Sequence, residues 1–260
     1  MWYYKSRKDD SLVIDKLSSL AESYPTRGFD EYYQKIRREG LKWNRKRVLR
    51  VYRNMNLKLR RKHKKRILGR VKLPLEMPNQ LNECWSMDFM SDTLTDGRKV
   101  RLFNVIDDCN REALTIKAGL SFPARAVVES LKELKEEIGV PKYIRCDNGP
   151  EFISKTFKDW CEKNYIEIKY TQPGKPMQNS YIERFNRFVR EVILDAYYFN
   201  DKYQLQQLCN KWREDYNRNH PHKSLGNKSP REFMPRINEE INFFINSDLD
   251  LNILSNLEVS

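Results

Sequence analysis

The sequence predicts an α/β protein: one mixed five-stranded sheet with flanking helices, preceded by a small all-α segment. Three observations carry that expectation. The first third of the chain repeats apolar residues at helical spacing. From about residue 80, β-prone and helical runs follow in the order β-β-β-α-β-α-β-α, which is the order of a single sheet covered by helices. Charge divides near the same place. Residues 1–74 hold 23 Lys and Arg against 7 Asp and Glu, and the remainder holds 26 against 29.

The all-α segment comes first. Leu12, Val13, Leu17, Leu20 and Ala21 recur at helical spacing, and Pro25-Thr-Arg-Gly28 interrupts them. A second helix over residues 31–40 stops at Gly40. A third, over residues 44–55, places Val48, Val51, Tyr52 and Met55 on one face, while Arg45, Lys46, Arg47, Arg50 and Arg53 spread over the rest. Three short helices with a basic last one resemble a helix-turn-helix DNA reader, a pattern many small helical bundles share. Residues 59–74, LRRKHKKRILGRVKLP, read as a linker that tracks phosphates through cations such as Lys64 and Lys65, or equally as a plain hinge.

The sheet follows. Residues 83–90, 98–108 and 112–121 read as three consecutive strands, the first two joined by a hairpin at Asp96-Gly97. Residues 123–139 form an amphipathic helix with Val127, Val128, Leu131, Leu134 and Ile138 on one side and Gly139 at its stop. A fourth strand spans 141–148, one helix 151–165 and a fifth strand 165–173. After the loop GKPMQNS comes a long helix over 181–198, with Ile182, Phe185, Val189, Val192 and Ile193 facing the core.

Composition excludes several classes. The N-terminus MWYYKSRKDD lacks an apolar signal core, and no apolar run reaches the length that spans a bilayer. The five cysteines form no C-x-x-C pair, so neither a zinc module nor a disulfide framework is expected. The expectation is a cytoplasmic protein with no membrane partner. The basic first third, interleaved with Trp43, Val48 and Tyr52, points to nucleic acid; a solvated basic helix gives the same count.

Against that charge, three acids stand out. Asp88 lies inside the apolar strand WSMDF, where an unpaired carboxylate is expensive unless it meets a cation. Asp147 ends the fourth strand at an Asn-Gly-Pro turn. Glu183 opens the long helix, with Arg187 and Arg190 on the same face at i+4 and i+7. A surface Glu–Arg pair explains that last spacing as well. Three carboxylates without a His/Cys cluster suit a hard cation, Mg²⁺ or Mn²⁺, and two such ions suit phosphodiester chemistry. Asp92, Asp107 and Asp108 lie near the same place and are read as structural or as supporting the site from behind.

At this point the sequence is recognisable. Between Asp147 and Glu183 lie 35 residues, the D,D-35-E spacing of retroviral integrases and related insertion-sequence transposases. WSMDFMSD, CDNGPEF and QPGKPMQNSYIERFNRFVRE surround the three acids, and YNRNHPHKSLGNKSPREF follows at 216–233. Over roughly residues 10–235 the chain resembles the OrfB product of insertion-sequence family three. His220 stands where that family usually has arginine, and His222 keeps the next matched position.

The resemblance implies a ribonuclease-H-like integrase catalytic core over 80–200, a helix-turn-helix-like DNA-binding segment over 1–58, a basic linker over 59–79 and a C-terminal helical extension with a tail over 201–260. It implies a transposase, a polynucleotidyl transferase. Asp88, Asp147 and Glu183 would be both catalytic residues and ligands of Mg²⁺ or Mn²⁺, two ions in all. Arg187, Arg190, Lys46, Arg47, Arg50, Lys64, Lys65 and His222 would contact DNA. The implied partners are the element's terminal inverted repeats, target DNA, a second copy of the chain in the active complex, and an upstream OrfA partner or fusion. The alternatives are a non-catalytic DNA-binding remnant or regulator, and a ribonuclease-H-type nuclease that only hydrolyses.

Overall fold

The computed structural model describes residues 9–59, 78–171 and 179–236. They fall into two units, one on each side of residue 72. The basic linker and the tail after 236 lie outside the described residues.

In the N-terminal unit three helices form: α1 (Ser11–Ser23), α2 (Phe29–Arg38) and α3 (Arg45–Asn54). Val13, Leu17 and Leu20 of α1, Tyr32 and Ile36 of α2, and Val48, Val51 and Tyr52 of α3 make one small core. Leu12 is a correction: it is 69% exposed, because the buried row 13, 17, 20 leaves its neighbour turned aside by a third of a turn. Asn44 caps α3 by accepting the Lys46 N–H at 2.8 Å. Gly40, at φ +83, lets the chain reverse after α2.

The second unit is built on strands β1 (Cys84–Thr93), β2 (Lys99–Asp107), β3 (Ala113–Gly119), β4 (Tyr143–Cys146) and β5 (Glu167–Tyr170). Their order is β3-β2-β1-β4-β5; the first two pairings are antiparallel and the last two parallel. Gly97, at φ +84, makes the β1–β2 hairpin. Alternation sends odd residues of β1 to one face and even residues to the other. Trp85 and Met87 therefore join Phe103, Val105 and Ile144 under α4 (Ala124–Ile138). On the opposite face Met90, Leu102 and Ile116 pack against α7 (Ser180–Val189) and α8 (Lys202–Asn219).

Two helices differ from expectation. The run 151–165 is not one helix but two, α5 (Pro150–Ile153) and α6 (Lys155–Lys163). Ser154 breaks it: its backbone is extended and its hydroxyl accepts the Phe157 N–H to cap α6. The long helix does not reach 198. After α7 the chain makes one wider, π-type turn, Arg190–Leu194, and leaves the helix. Phe199 is then buried, and its carbonyl accepts the Thr95 N–H of the hairpin at 2.9 Å. Closing α9 (Pro230–Phe233) ends the described chain apart from Met234–Arg236. Among the described residues, no helix is long and apolar enough to cross a membrane.

The outer edge of β3 is covered by side chains of α8. Gln206 accepts the Ala118 N–H and donates to the Ile116 carbonyl, at 2.7 and 2.8 Å. Asn217 does the same to both backbone groups of Ala113, at 2.8 and 3.0 Å, and Arg213 donates to the Leu114 carbonyl. The helix thus substitutes for a missing strand and removes an exposed edge. Gln206→Leu leaves two backbone groups unpaired. It is expected to lower stability by ~1–3 kcal/mol in urea unfolding and to give concentration-dependent association by light scattering.

Candidate active site

The sheet and α7 bring the first and third acids to one face. Asp88 is an even residue of β1, so it points toward α7 and away from the aromatic core under α4. Directly across from it on β2 is Asn104. Asp88 is half-buried, and its two oxygens are occupied: Oδ1 accepts the Phe89 N–H and Oδ2 accepts the Asn186 Nδ2–H, both at 2.8 Å. Asp147 follows β4, the parallel neighbour of β1, so the end of that strand lies alongside. Glu183 occupies the first turn of α7, where a negative charge is favoured by the helix dipole. Asp147 and Glu183 are exposed.

Electrostatics ties the three together. Burial pushes the Asp88 carboxyl up to about 6, and the charges of Asp147 and Glu183 push it the same way, against the two hydrogen bonds it accepts. Two carboxylates acting on a third, half-buried one concentrate negative charge there. Their oxygen donors match a hard ion such as Mg²⁺ or Mn²⁺. Among the described residues, no group of three or more His, Cys, Asp or Glu is placed to hold a metal ion.

Gly149 keeps the space beside Asp147 clear. Its N–H donates to Asp147 Oδ1 at 2.9 Å, and a Cβ there would come within 2.9 Å of that oxygen and 3.3 Å of Glu151 Oε2. The Gly149 φ of −57° suits any residue, so the constraint is contact rather than backbone strain. Gly149→Ala is expected to displace the Asp147 carboxylate and slow any reaction centred on it by about 10²-fold, the scale of a small misplacement at a reacting centre. The urea midpoint should stay nearly unchanged, and an activity assay run beside an unfolding curve checks both.

The predicted DNA contacts divide. Arg187 is exposed on the last turn of α7, with no ion pair found for it among the described residues. Arg190 donates to the Ser91 carbonyl at 2.9 Å and lies 3.8 Å from Asp195, so it fastens the π-type turn to β1. Lys46 is exposed on α3. Arg47 and Arg50 both bind Asp10, at 2.8 and 2.6 Å, and the Arg47 hydrogen bond leads in holding that carboxyl below the usual range. Lys64 and Lys65 lie outside the described residues. His222 bridges to Lys228, with its ring edge-on to Tyr216 and His220. His220 is 9% exposed and stacks on Tyr216 with Phe188 4.4 Å away, inside an aromatic cluster.

Asp107 and Asp108 are wholly buried and ion-paired, with Arg236 at 2.9 Å and Arg145 at 2.7 Å. Asp92 accepts the Thr93 N–H. Sequence reasoning missed Asn186, the buried amide that donates to Asp88, and Asn104, the buried amide that donates to Asn186. The available signals were an asparagine at i+3 from Glu183 on an otherwise apolar face, and another in the middle of the strand VRLFNVID.

Residues 78–176 and 164–230 each match a family model described as an integrase core domain. The chain is 34% identical over 233 residues to the 31.7 kDa protein of insertion element IS407 from Burkholderia multivorans, covering 89% of this chain and 84% of that one. It is 26% identical over 244 residues to transposase InsD of insertion element IS2 from Escherichia coli, covering 87% and 79%. In fold it resembles a chain of the simian T-cell lymphotropic virus intasome bound to PP2A regulatory subunit B56 gamma. That match has a TM-score of 0.54 and 15% identity, and covers 86% of this chain and 76% of the other.

Proposed function

The chain belongs to the OrfB-type insertion-element proteins built on an integrase core, and from that premise we propose that it is a DDE transposase that cleaves DNA at the element's ends and joins them to new sites. The observation that carries this reading is the set of acids. Asp88 lies on β1, Asp147 just after β4 and Glu183 on α7, and the charges of the other two both act on Asp88.

In this reading the three carboxylates would hold Mg²⁺ or Mn²⁺, two ions when fully loaded. Bound ions of this kind lower the pKa of an attacking hydroxyl and stabilise charge on a phosphodiester. The residues of the chain then do the placing. Asp88 is oriented from two directions by hydrogen bonds, and Asp147 is held by the Gly149 N–H. Arg187, exposed one helical turn beyond Glu183, would meet a DNA phosphate, and exposed Lys46 on α3 would meet another. The first step is attack of water oxygen on the phosphorus at the element's end. The bond from phosphorus to the 3′ oxygen breaks, and that oxygen leaves as a 3′-hydroxyl. This hydroxyl then attacks a second phosphodiester, whose own 3′ oxygen departs. Each step makes one P–O bond and breaks one, and the enzyme forms no bond to DNA. Two DNA ends at one reaction call for at least two copies of the chain.

The test is strand joining by the purified chain on a labelled duplex carrying the element's own terminus, in Mg²⁺ or Mn²⁺. Glu183→Gln and Asp147→Asn are run in parallel, and the chain is also tested fused to its upstream partner. Joined products abolished by both substitutions support the proposal. DNA binding without joining in every form would make the protein a non-catalytic regulator, and hydrolysis restricted to RNA–DNA hybrid would make it a nuclease.

A further inference from the structure

We infer that Asn186, held in turn by Asn104, is a positioning residue that fixes the carboxylate of Asp88 and sets α7 on the strand carrying it. The inference rests on reading Asp88, Asp147 and Glu183 as metal ligands. Asn104 is 0% exposed and Asn186 8%. Asn104 Nδ2 donates to Asn186 Oδ1 at 2.7 Å, and Asn186 Nδ2 donates to Asp88 Oδ2 at 2.8 Å. The three side chains form one directed row from β2 through α7 to β1.

The direction is dictated chemically. An ionised carboxylate only accepts, so the nitrogen end of Asn186 must face Asp88 and its oxygen end must face away. Asn104 meets that oxygen with its own nitrogen. Its remaining oxygen, Oδ1, is then left buried without a partner, which is unfavourable. Asn186 also sits on the apolar side of α7, among Ile182, Phe185 and Val189. Leucines at both 186 and 104 would bury more apolar surface and remove the unpaired Asn104 oxygen. Simple adhesion of helix to sheet therefore does not account for two amides at this place.

Orientation does account for them. The Phe89 N–H holds one oxygen of Asp88 from the strand and Asn186 holds the other from the helix, so the carboxyl plane cannot turn freely. Asn186 lies three residues after Glu183, nearly one turn along α7. The same hydrogen bond therefore fixes the helix that carries the third acid relative to the strand that carries the first. Removing a group that orients a metal-ligating side chain commonly lowers metal affinity 10–100-fold.

The experiment measures the rise in melting temperature with Mn²⁺ concentration, and beside it the Mn²⁺ dependence of strand joining. Wild type, Asn186→Leu and Asn104→Ser are compared. The expected result is a Mn²⁺ midpoint at least about 10-fold higher in Asn186→Leu, with the protein folded and joining restored at high Mn²⁺, and a smaller shift the same way in Asn104→Ser. A purely structural role would change the metal-free melting temperature and leave the midpoint where it was. If wild type joins DNA and the Mn²⁺ midpoint is the same in both variants, the inference is wrong. Should Asn186→Leu fail to fold, Asn104→Ser decides by the same criterion. If wild type itself shows no Mn²⁺-dependent shift and no joining, the metal reading of the three acids fails, and the positioning role falls with it.

Discussion

Asp88→Asn is expected to abolish strand joining and, in the same preparation, to make the metal-free protein more stable. The loss should be at least about 10³-fold, beyond the ~10²-fold that follows from losing a group that merely supports a metal ligand. The gain in stability follows from the Asp88 carboxyl, which burial and its two acidic neighbours raise from 3.8 to about 6. Each pKa unit corresponds to about 1.4 kcal/mol, so ionising Asp88 disfavours the folded state by up to about 3 kcal/mol at pH 7.5. Partial solvent access and the poorer match of an amide to Asn186 reduce the net gain to ~1–2 kcal/mol.

The pH dependence has a definite sign. The folded pKa is the higher of the two, so the unfolded chain releases this proton first as pH rises. The penalty is absent below about pH 4, grows between 4 and 6, and is complete above 6. Urea midpoints of wild type and Asp88→Asn measured without metal should therefore diverge as pH rises from 5 to 7.5. Added Mn²⁺ should close the gap by stabilising only wild type. A residue kept at a place where it weakens the fold is the signature of function.

The second large effect concerns the far end of the sheet. Arg236 donates to Asp107 Oδ2 at 2.9 Å, to Glu112 Oε2 at 2.8 Å and to Asn82 Oδ1 at 2.9 Å. Side-chain exposure is 0% at Asp107 and 4% at Glu112. Arg236→Ala removes the one cation that bridges both acids and leaves Asp107 buried without its counter-charge. Breaking such a pair from one side is unfavourable by ~3–5 kcal/mol, a large share of a domain's total stability. Arg231 still reaches Glu112 at 3.1 Å, so the loss falls mainly on Asp107. Urea unfolding of Arg236→Ala measures it, and a change below about 1 kcal/mol would show that the buried acid finds other compensation. Arg236→Lys keeps the charge but not three directed donors, and should fall between the two.

What could be read from the sequence follows from which forces are local. The strands and most helices are legible because apolar spacing and glycine stops act over a few residues; the row Val127, Val128, Leu131, Leu134 and the turn at Asp96-Gly97 are examples. The three acids stand out because a carboxylate in an apolar strand or at a strand end is conspicuous in type and position. Most of the misses depend on partners distant in sequence; the break at Ser154, which caps the next helix through Phe157 three residues on, is local. Ser154 breaks a helix whose apolar pattern continues through it. The helix after Glu183 stops early because Phe199 is drawn under a hairpin about 100 residues upstream. Arg47 and Arg50 look like free cations on α3 until Asp10, 37 and 40 residues away, is seen between them. Asn104 and Asn186 are separated by 82 residues and acquire meaning only when α7 crosses the sheet.

Metal binding tests the central claim most directly. Mn²⁺ added to the purified chain, with free ion counted by electron paramagnetic resonance, is compared among wild type, Asp88→Asn, Asp147→Asn and Glu183→Gln. If the three carboxylates form one reaction centre, wild type binds Mn²⁺ saturably and each single substitution sharply weakens or abolishes that binding while the fold is kept. Binding that is unchanged in all three variants would place the metal elsewhere and contradict the assignment of Asp88, Asp147 and Glu183 to a common site.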